Sequence, residues 1–235
     1  MAPLIKGVRE TSELLSQLPM VTAVCLFGSV ARGGARPDSD VDVLVVAAND
    51  SDLHSVRSSF PDTSERLSFA LYSKAAFQAV LDERATMLVH LRKEGRVLFD
   101  RDAWLSDALA EPRSIQTIAD IEISVQARRL AVMDDLSIFN DNFLICLSRL
   151  YGIGRSITLA LLVRDGRPEF DTARAFATLQ HSRPNLARDV ANVLQLRSFH
   201  QLVSGKSARK LPFSYIGAER QTFFALDSVR RIAAA

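Results

Sequence analysis

Two rhythms of apolar and polar positions run along this chain, and the change from one to the other falls near its middle. In the first half, short apolar runs bounded by turn residues predict strands. The runs are Val21 to Phe27, a second beginning with Ser39-Asp40 and Asp42 and reaching Val46, Arg66 to Tyr72, and the short Arg96 to Phe99. Between and around them the spacing is helical. Pro3 to Leu18 carries Leu4, Ile5, Val8, Leu14, Leu15 and Leu18, and Pro19 closes it. Asn49-Asp50-Ser51 signals a helix start over Asp52 to Ser59, which Pro61 ends. Ser73 caps a helix over Ala75 to Leu81, Glu83 to Lys93 continues helically to a Gly95 stop, and Asp100 to Leu109 is the next helix. This order suits a mixed sheet with helices on one face.

Beyond Glu111-Pro112-Arg113 the pattern is wholly helical, and the proline disfavours helix in the residue before it, so a boundary is expected there. Thr117 to Met133, Asp141 to Val163, Ala173 to Gln180, Pro184 to Phe199 and Ala218 to Ile232 each show apolar residues at three- and four-residue spacing. Gly152 and Gly154 are the positions where the second of these would bend. The expected organisation is α/β (α+β), with a mixed-sheet domain over 1–111 and an all-helical bundle over 112–235.

Composition adds limits. At 25.9 kDa a chain buries about 70% of its unfolded surface, enough for a sizeable core. No uninterrupted apolar run approaches the roughly 18 residues of a membrane span, and the N-terminus lacks a signal-peptide pattern, so a cytoplasmic protein with no membrane partner is expected. Cys25 and Cys146 are too few for a disulfide framework and read as buried thiols in a reducing compartment. The net charge of +2 conceals a division: 12 basic and 16 acidic residues through Glu111 give −4, and 17 basic and 11 acidic after it give +6. An acidic half beside a basic one suggests an anionic ligand, and a solvated Arg-rich helical surface explains the same numbers. Oligomeric state is left open.

Candidate chemistry concentrates between Val21 and Val46, in VTAVCLFGSVARGGARPDSDVDVLVV. Strand residues two apart share a face and lie roughly 7 Å apart, so Asp40 and Asp42 point the same way. Two carboxylates aimed at one point repel unless a cation lies between them, and an all-oxygen donor set suits Mg²⁺ or Mn²⁺. Upstream, the Gly28-Ser29 turn offers backbone N–H groups and a hydroxyl at a helix start, where phosphate binds well, and Arg32 one turn on can reach an anion. A phosphate cradle facing metal-binding carboxylates is the apparatus of phosphoryl or nucleotidyl transfer.

The run GSVARG, the ten residues between Ser29 and Asp40, and the closing SDVDVLV resemble the signature of the DNA polymerase beta-like nucleotidyltransferases. The likeness is strongest to the small single-chain types that include aminoglycoside nucleotidyltransferases and antitoxin-type enzymes. The resemblance covers the first half of the chain. It implies that Gly28 and Ser29 hold nucleotide phosphates, that Asp40 and Asp42 bind catalytic Mg²⁺ (or Mn²⁺), and that Arg32 and Ser39 support them. It further implies transfer of a nucleoside monophosphate from a nucleoside triphosphate to an acceptor hydroxyl, with a small molecule, a protein or RNA as acceptor. Such enzymes usually carry a third acid on the next strand, and Ser68 occupies that place. Ser is a poor base; Asp62 and Glu65 just before the strand are the available substitutes, Glu65 foremost. The alternative is a catalytically weakened nucleotide-binding or antitoxin-type protein that keeps the fold.

Other motifs are weaker. Arg174 and His181 stand two helical turns apart and resemble the Arg-x6-His RNase motif of helical HEPN proteins, partners of such enzymes in toxin-antitoxin pairs, but Ala175 replaces the usual polar residue. The segment from Ser204 to Lys210 lacks the first glycine of a phosphate loop, and reads as a solvated turn or a basic loop that contacts substrate. His54, His90 and His200 are isolated in sequence and carry no metal spacing.

Overall fold

In the computed structural model, residues 2–35, 39–60, 67–135, 142–205 and 215–235 are described, and the chain divides into two compact units, Met1–Ser114 and Ile115–Ala235. The first unit is built on β1 (Val21–Phe27), β2 (Val41–Ala47), β3 (Leu67–Ser73) and β4 (Arg96–Asp100). Among the described residues these form one four-stranded sheet in the order β3-β2-β1-β4. β1 is antiparallel to both β2 and β4, whereas β2 and β3 run parallel.

Helices cover both faces of this sheet, not the one face the pattern suggests. β1 and β2 are almost entirely buried apolar runs, so neither face can be left in water. On one side α1 (Ala2–Ser16) and α3 (Leu53–Ser58) supply Val8, Leu15 and Val56 to a core with Val24, Leu26, Val41, Val43 and Val45. The residues of opposite parity, among them Phe27 and Tyr72, meet α4 (Lys74–Glu83) and α5 (Ala85–Glu94). There the Phe27 and His90 rings pack edge-on at 5.6 Å, and Tyr72 meets Phe77 at 5.9 Å. Ser73 Oγ accepts the Ala76 N–H at 3.2 Å, the cap that its place before an apolar helix suggests.

Asp100 closes β4 and does not open a helix. Its carboxylate accepts the Leu105 N–H at 2.8 Å and the Ser106 N–H at 2.9 Å, which starts α6 (Trp104–Ala110) after a 3₁₀ turn over Arg101–Ala103. β2 likewise begins at Val41, so Asp42 lies inside the ladder and Asp40 in the connection before it.

The second unit is helical: α7 (Ile115–Val132), α8 (Phe143–Arg164), α9 (Thr172–Ser182), α10 (Ala187–Gln195), α11 (Arg197–Val203) and α12 (Tyr215–Ala233). α8 is long and apolar enough to cross a membrane, and most of it is buried within this unit as the core helix. It runs unbroken through Gly152 and Gly154. Gly154 serves close packing: a Cβ there would lie 2.6 Å from Val193 Cγ1 of α10. The single helix expected over Pro184 to Phe199 is three pieces, a 3₁₀ turn over Pro184–Leu186 followed by α10 and α11. The buried residues Val190, Val193, Leu196 and Phe199 recur every three residues, and tightened bonds from Leu196 N to Val193 O (3.0 Å) and Phe199 N to Leu196 O (3.1 Å) keep them on one face. Buried Asp189 accepts Arg231 Nε at 2.9 Å and Nη2 at 2.7 Å, and those hydrogen bonds hold its carboxyl below the usual range.

Candidate functional site

β1 ends at Phe27 in an extended conformation and the chain turns at once into α2 (Gly28–Ala31). Gly28 has φ +77, which side chains disfavour, and this is why a glycine stands there. Arg32 N bonds to Gly28 O at 3.1 Å and Gly34 N to Ser29 O at 3.0 Å, closing the turn on itself. Val30 and Ala31 are buried, which leaves Ser29 and Arg32 partly exposed. The antiparallel register sets Asp42 opposite Phe27, one residue before this turn.

The space that a side chain on Gly28 would fill belongs to Asp42. A Cβ built there would lie 2.3 Å from Asp42 Oδ2. The turn and the carboxylate are thus packed against each other with no room for another atom. Across the parallel ladder Asp42 is paired with Ser68, so both side chains leave the sheet on the same face. Ser68 is exposed and Asp42 partly so, while Ser39 and Asp40 lie partly exposed just before β2. Glu65 and Asp62, the candidate substitute bases, lie outside the described residues. The candidate phosphate-like segment after Gly205 is outside them as well.

Two residues at this end of the sheet have no signal that marks them as a pair with the turn. Arg32 Nη1 donates to Glu94 Oε2 at 2.5 Å, and His90 Nε2 lies 3.0 Å from the same oxygen. His90 is therefore not isolated. The only sequence signal is the four-residue spacing of His90 and Glu94 on α5, common on solvated helices. Behind the turn, burial pushes the Cys25 thiol up to about 12, so it stays neutral. In the second unit Arg174 and His181 both lie exposed on α9, and His200 Nδ1 is 3.1 Å from Ser148 Oγ.

Among the described residues no group of three or more His, Cys, Asp or Glu converges as a complete metal cage. The Asp42 carboxylate beside Gly28 is an oxygen donor of the kind that suits a small hard cation such as Mg²⁺. Such a cation takes one or two protein carboxylates and completes its shell with water and substrate phosphate.

Residues 9–103 match the family model described as polymerase beta nucleotidyltransferase. Among solved structures, the chain is similar to spectinomycin adenyltransferase AAD(9) from Enterococcus faecialis, solved with ATP and spectinomycin. The identity is 11% and the TM-score 0.53, over 98% of this chain and 99% of that one. A nucleotidyltransferase-like protein from Exiguobacterium sibiricum matches at 14% identity and TM-score 0.38, over 98% of this chain and 74% of that one. A toxin-antitoxin structure with AMP-PNP matches at 17% identity and TM-score 0.28, over 58% and 97%. No curated protein sequence matches. The first unit thus carries a polymerase beta-type nucleotidyltransferase domain, and the chain as a whole has the α+β plus helical fold of the spectinomycin enzyme.

Proposed function

From a polymerase beta-type nucleotidyltransferase domain over residues 9–103, we propose that this protein transfers a nucleoside monophosphate from a nucleoside triphosphate to an acceptor hydroxyl. The observation that carries the proposal is the packing of Gly28 against Asp42, with Oδ2 in the space of the absent Cβ. A turn that binds phosphate and a carboxylate that binds a cation are useful to each other only at this distance. Amides of the Gly28-Ser29 turn, the Ser29 and Ser39 hydroxyls and the Arg32 guanidinium hold and orient the phosphates. Asp40 and Asp42 would hold divalent cations, Mg²⁺ or Mn²⁺. When bound, these supply charge neutralisation across the triphosphate and lower the pKa of the acceptor hydroxyl. The chain's own part is positioning: the pairing of β1 with β2 sets Asp42 against the Gly28 turn, so a bound triphosphate and cation would be held together for in-line attack of the acceptor oxygen on the α-phosphorus. ATP as donor agrees with the ATP in the similar spectinomycin enzyme. The acceptor is a small molecule, a protein or RNA.

One observation favours a second reading. Ser68 occupies the ladder position beside Asp42 where a third carboxylate would act as base, and a hydroxyl does that work poorly. A protein that binds nucleotide without turning it over, as an antitoxin or sensor would, fits that feature. Incubation with nucleoside triphosphates labelled at the α-phosphate, with Mg²⁺ or Mn²⁺, against aminoglycosides, tRNA and candidate protein partners separates the two. Label on an acceptor establishes transfer; nucleotide binding with no label on any acceptor favours the second reading, and no binding overturns both.

A further inference from the structure

Four-residue helices have no stability of their own, because the cost of nucleation is not recovered in so short a run. α2 is such a helix, so what holds the Gly28-Ser29 turn must come from outside it. Both of its ends reach the same face of α5. At the start, the Phe27 ring packs edge-on against His90; at the end, Arg32 is bonded to Glu94, one turn further along α5. The carboxylate that anchors this arrangement is 9% exposed and touches both Arg32 and His90 through one oxygen. A carboxylate so far removed from water is costly unless paired, and an apolar residue would pack α5 as well. Its charge is needed because the guanidinium it fixes must be held while still offering donors elsewhere. Arg has five N–H donors in a planar fork, so a bond through Nη1 sets the plane and leaves others to turn toward the rim of the turn.

We infer that Glu94 is a positioning residue for the proposed nucleotide site: it fixes Arg32 so that the remaining guanidinium donors meet the phosphates of a nucleoside triphosphate. The inference rests on the reading of the Gly28-Ser29 turn as a phosphate cradle. It assigns to Glu94 a role exercised only through Arg32.

Calorimetric titration of wild type, Glu94→Gln, Arg32→Ala and the double variant with each of the four nucleoside triphosphates in Mg²⁺ tests it, with thermal unfolding run on the same samples. For the tightest-binding nucleotide, Glu94→Gln should weaken affinity about tenfold, in line with loss of a charged hydrogen bond. Arg32→Ala should weaken it at least as much, and the double variant should be no worse than Arg32→Ala, because Glu94 has nothing to position once the guanidinium is gone. Equal losses from Glu94→Gln with and without Arg32, or a lowered Tm with unchanged affinity, would mean a merely structural tie and overturn the inference. Should Glu94→Gln fail to fold, Glu94→Asp keeps the charge one methylene shorter and should bind with intermediate affinity; wild-type affinity in that variant would also overturn it. Absence of binding by wild type to all four nucleotides would overturn the cradle as well, a result distinct from normal binding that ignores Glu94.

Discussion

Gly28 and Asp42 share one volume: a Cβ on the glycine would come within 2.3 Å of the Asp42 Oδ2 and 3.2 Å of its Cγ. The pair joins the two halves of the proposed chemistry, since one residue shapes the phosphate turn and the other supplies a cation ligand. It also makes the glycine unusually sensitive, because its φ of +77 is strained for any other residue.

Gly28→Ala should therefore do two things at once. Left-handed strain of roughly 1–2 kcal/mol should lower stability in urea unfolding. The new methyl should also turn the Asp42 carboxylate away from the turn, so that nucleotide affinity and Mg²⁺ affinity fall together in calorimetry. Ser29→Ala, which adds no atom, should weaken nucleotide binding less and leave Mg²⁺ binding close to normal.

Asp42→Asn should abolish transfer while the fold survives. Asp42 is only partly buried and Asn keeps its size and shape, so the variant without metal should unfold within about 0.5 kcal/mol of wild type. Near-normal transfer by this variant would place the cation elsewhere.

Ser68→Asp sets a third carboxylate beside Asp42 in the parallel ladder. In EDTA the added charge should lower the Tm, because like charges directly across strands repel. With Mn²⁺ present the order should reverse, with tighter cation binding and faster transfer. A gain in transfer of roughly 10²- to 10⁴-fold would match the usual worth of a general base.

The two thiols should resist modification. Burial pushes Cys25 from 9.0 up to about 12 and Cys146 from 9.0 up to about 11. Both stay neutral at pH 8, and a thiol-disulfide reagent should react only as the protein unfolds. The sign for stability follows from the folded values being raised. The contribution is intact below about pH 9 and is lost as pH rises through the folded values toward 11 and 12. Cys25→Ser, whose hydroxyl does not ionise there, should show a flatter decline of stability between pH 9 and 11 in urea titrations.

Much of the first unit is local and was open to reading from the residues. β1 is bounded by Pro19 on one side and Gly28 on the other, and its apolar run coincides with Val21–Phe27. The Gly-Ser turn, the nearby acids and the Ser73 cap depend on neighbours within a few positions, where spacing determines geometry. Helices on both sides of the sheet are implied by β1 and β2, which are apolar at nearly every position, against the expectation of one covered face. The break at Leu196 was hidden because a helix and a tightened helix share nearly the same apolar spacing.

What the sequence determined by itself is a pair of apolar strands with a glycine turn at the end of the first and acids at the start of the second, because apolar runs bounded by turn residues declare strands locally. The tertiary structure alone decided that Asp42 fills the space at Gly28 and that Glu94 grips Arg32 across a separation of 62 residues. Each of these depends on where distant segments pack once the core has closed. Side-chain identity fixes what such residues can do on contact, but only the register of the sheet and the docking of α5 fix whom they meet.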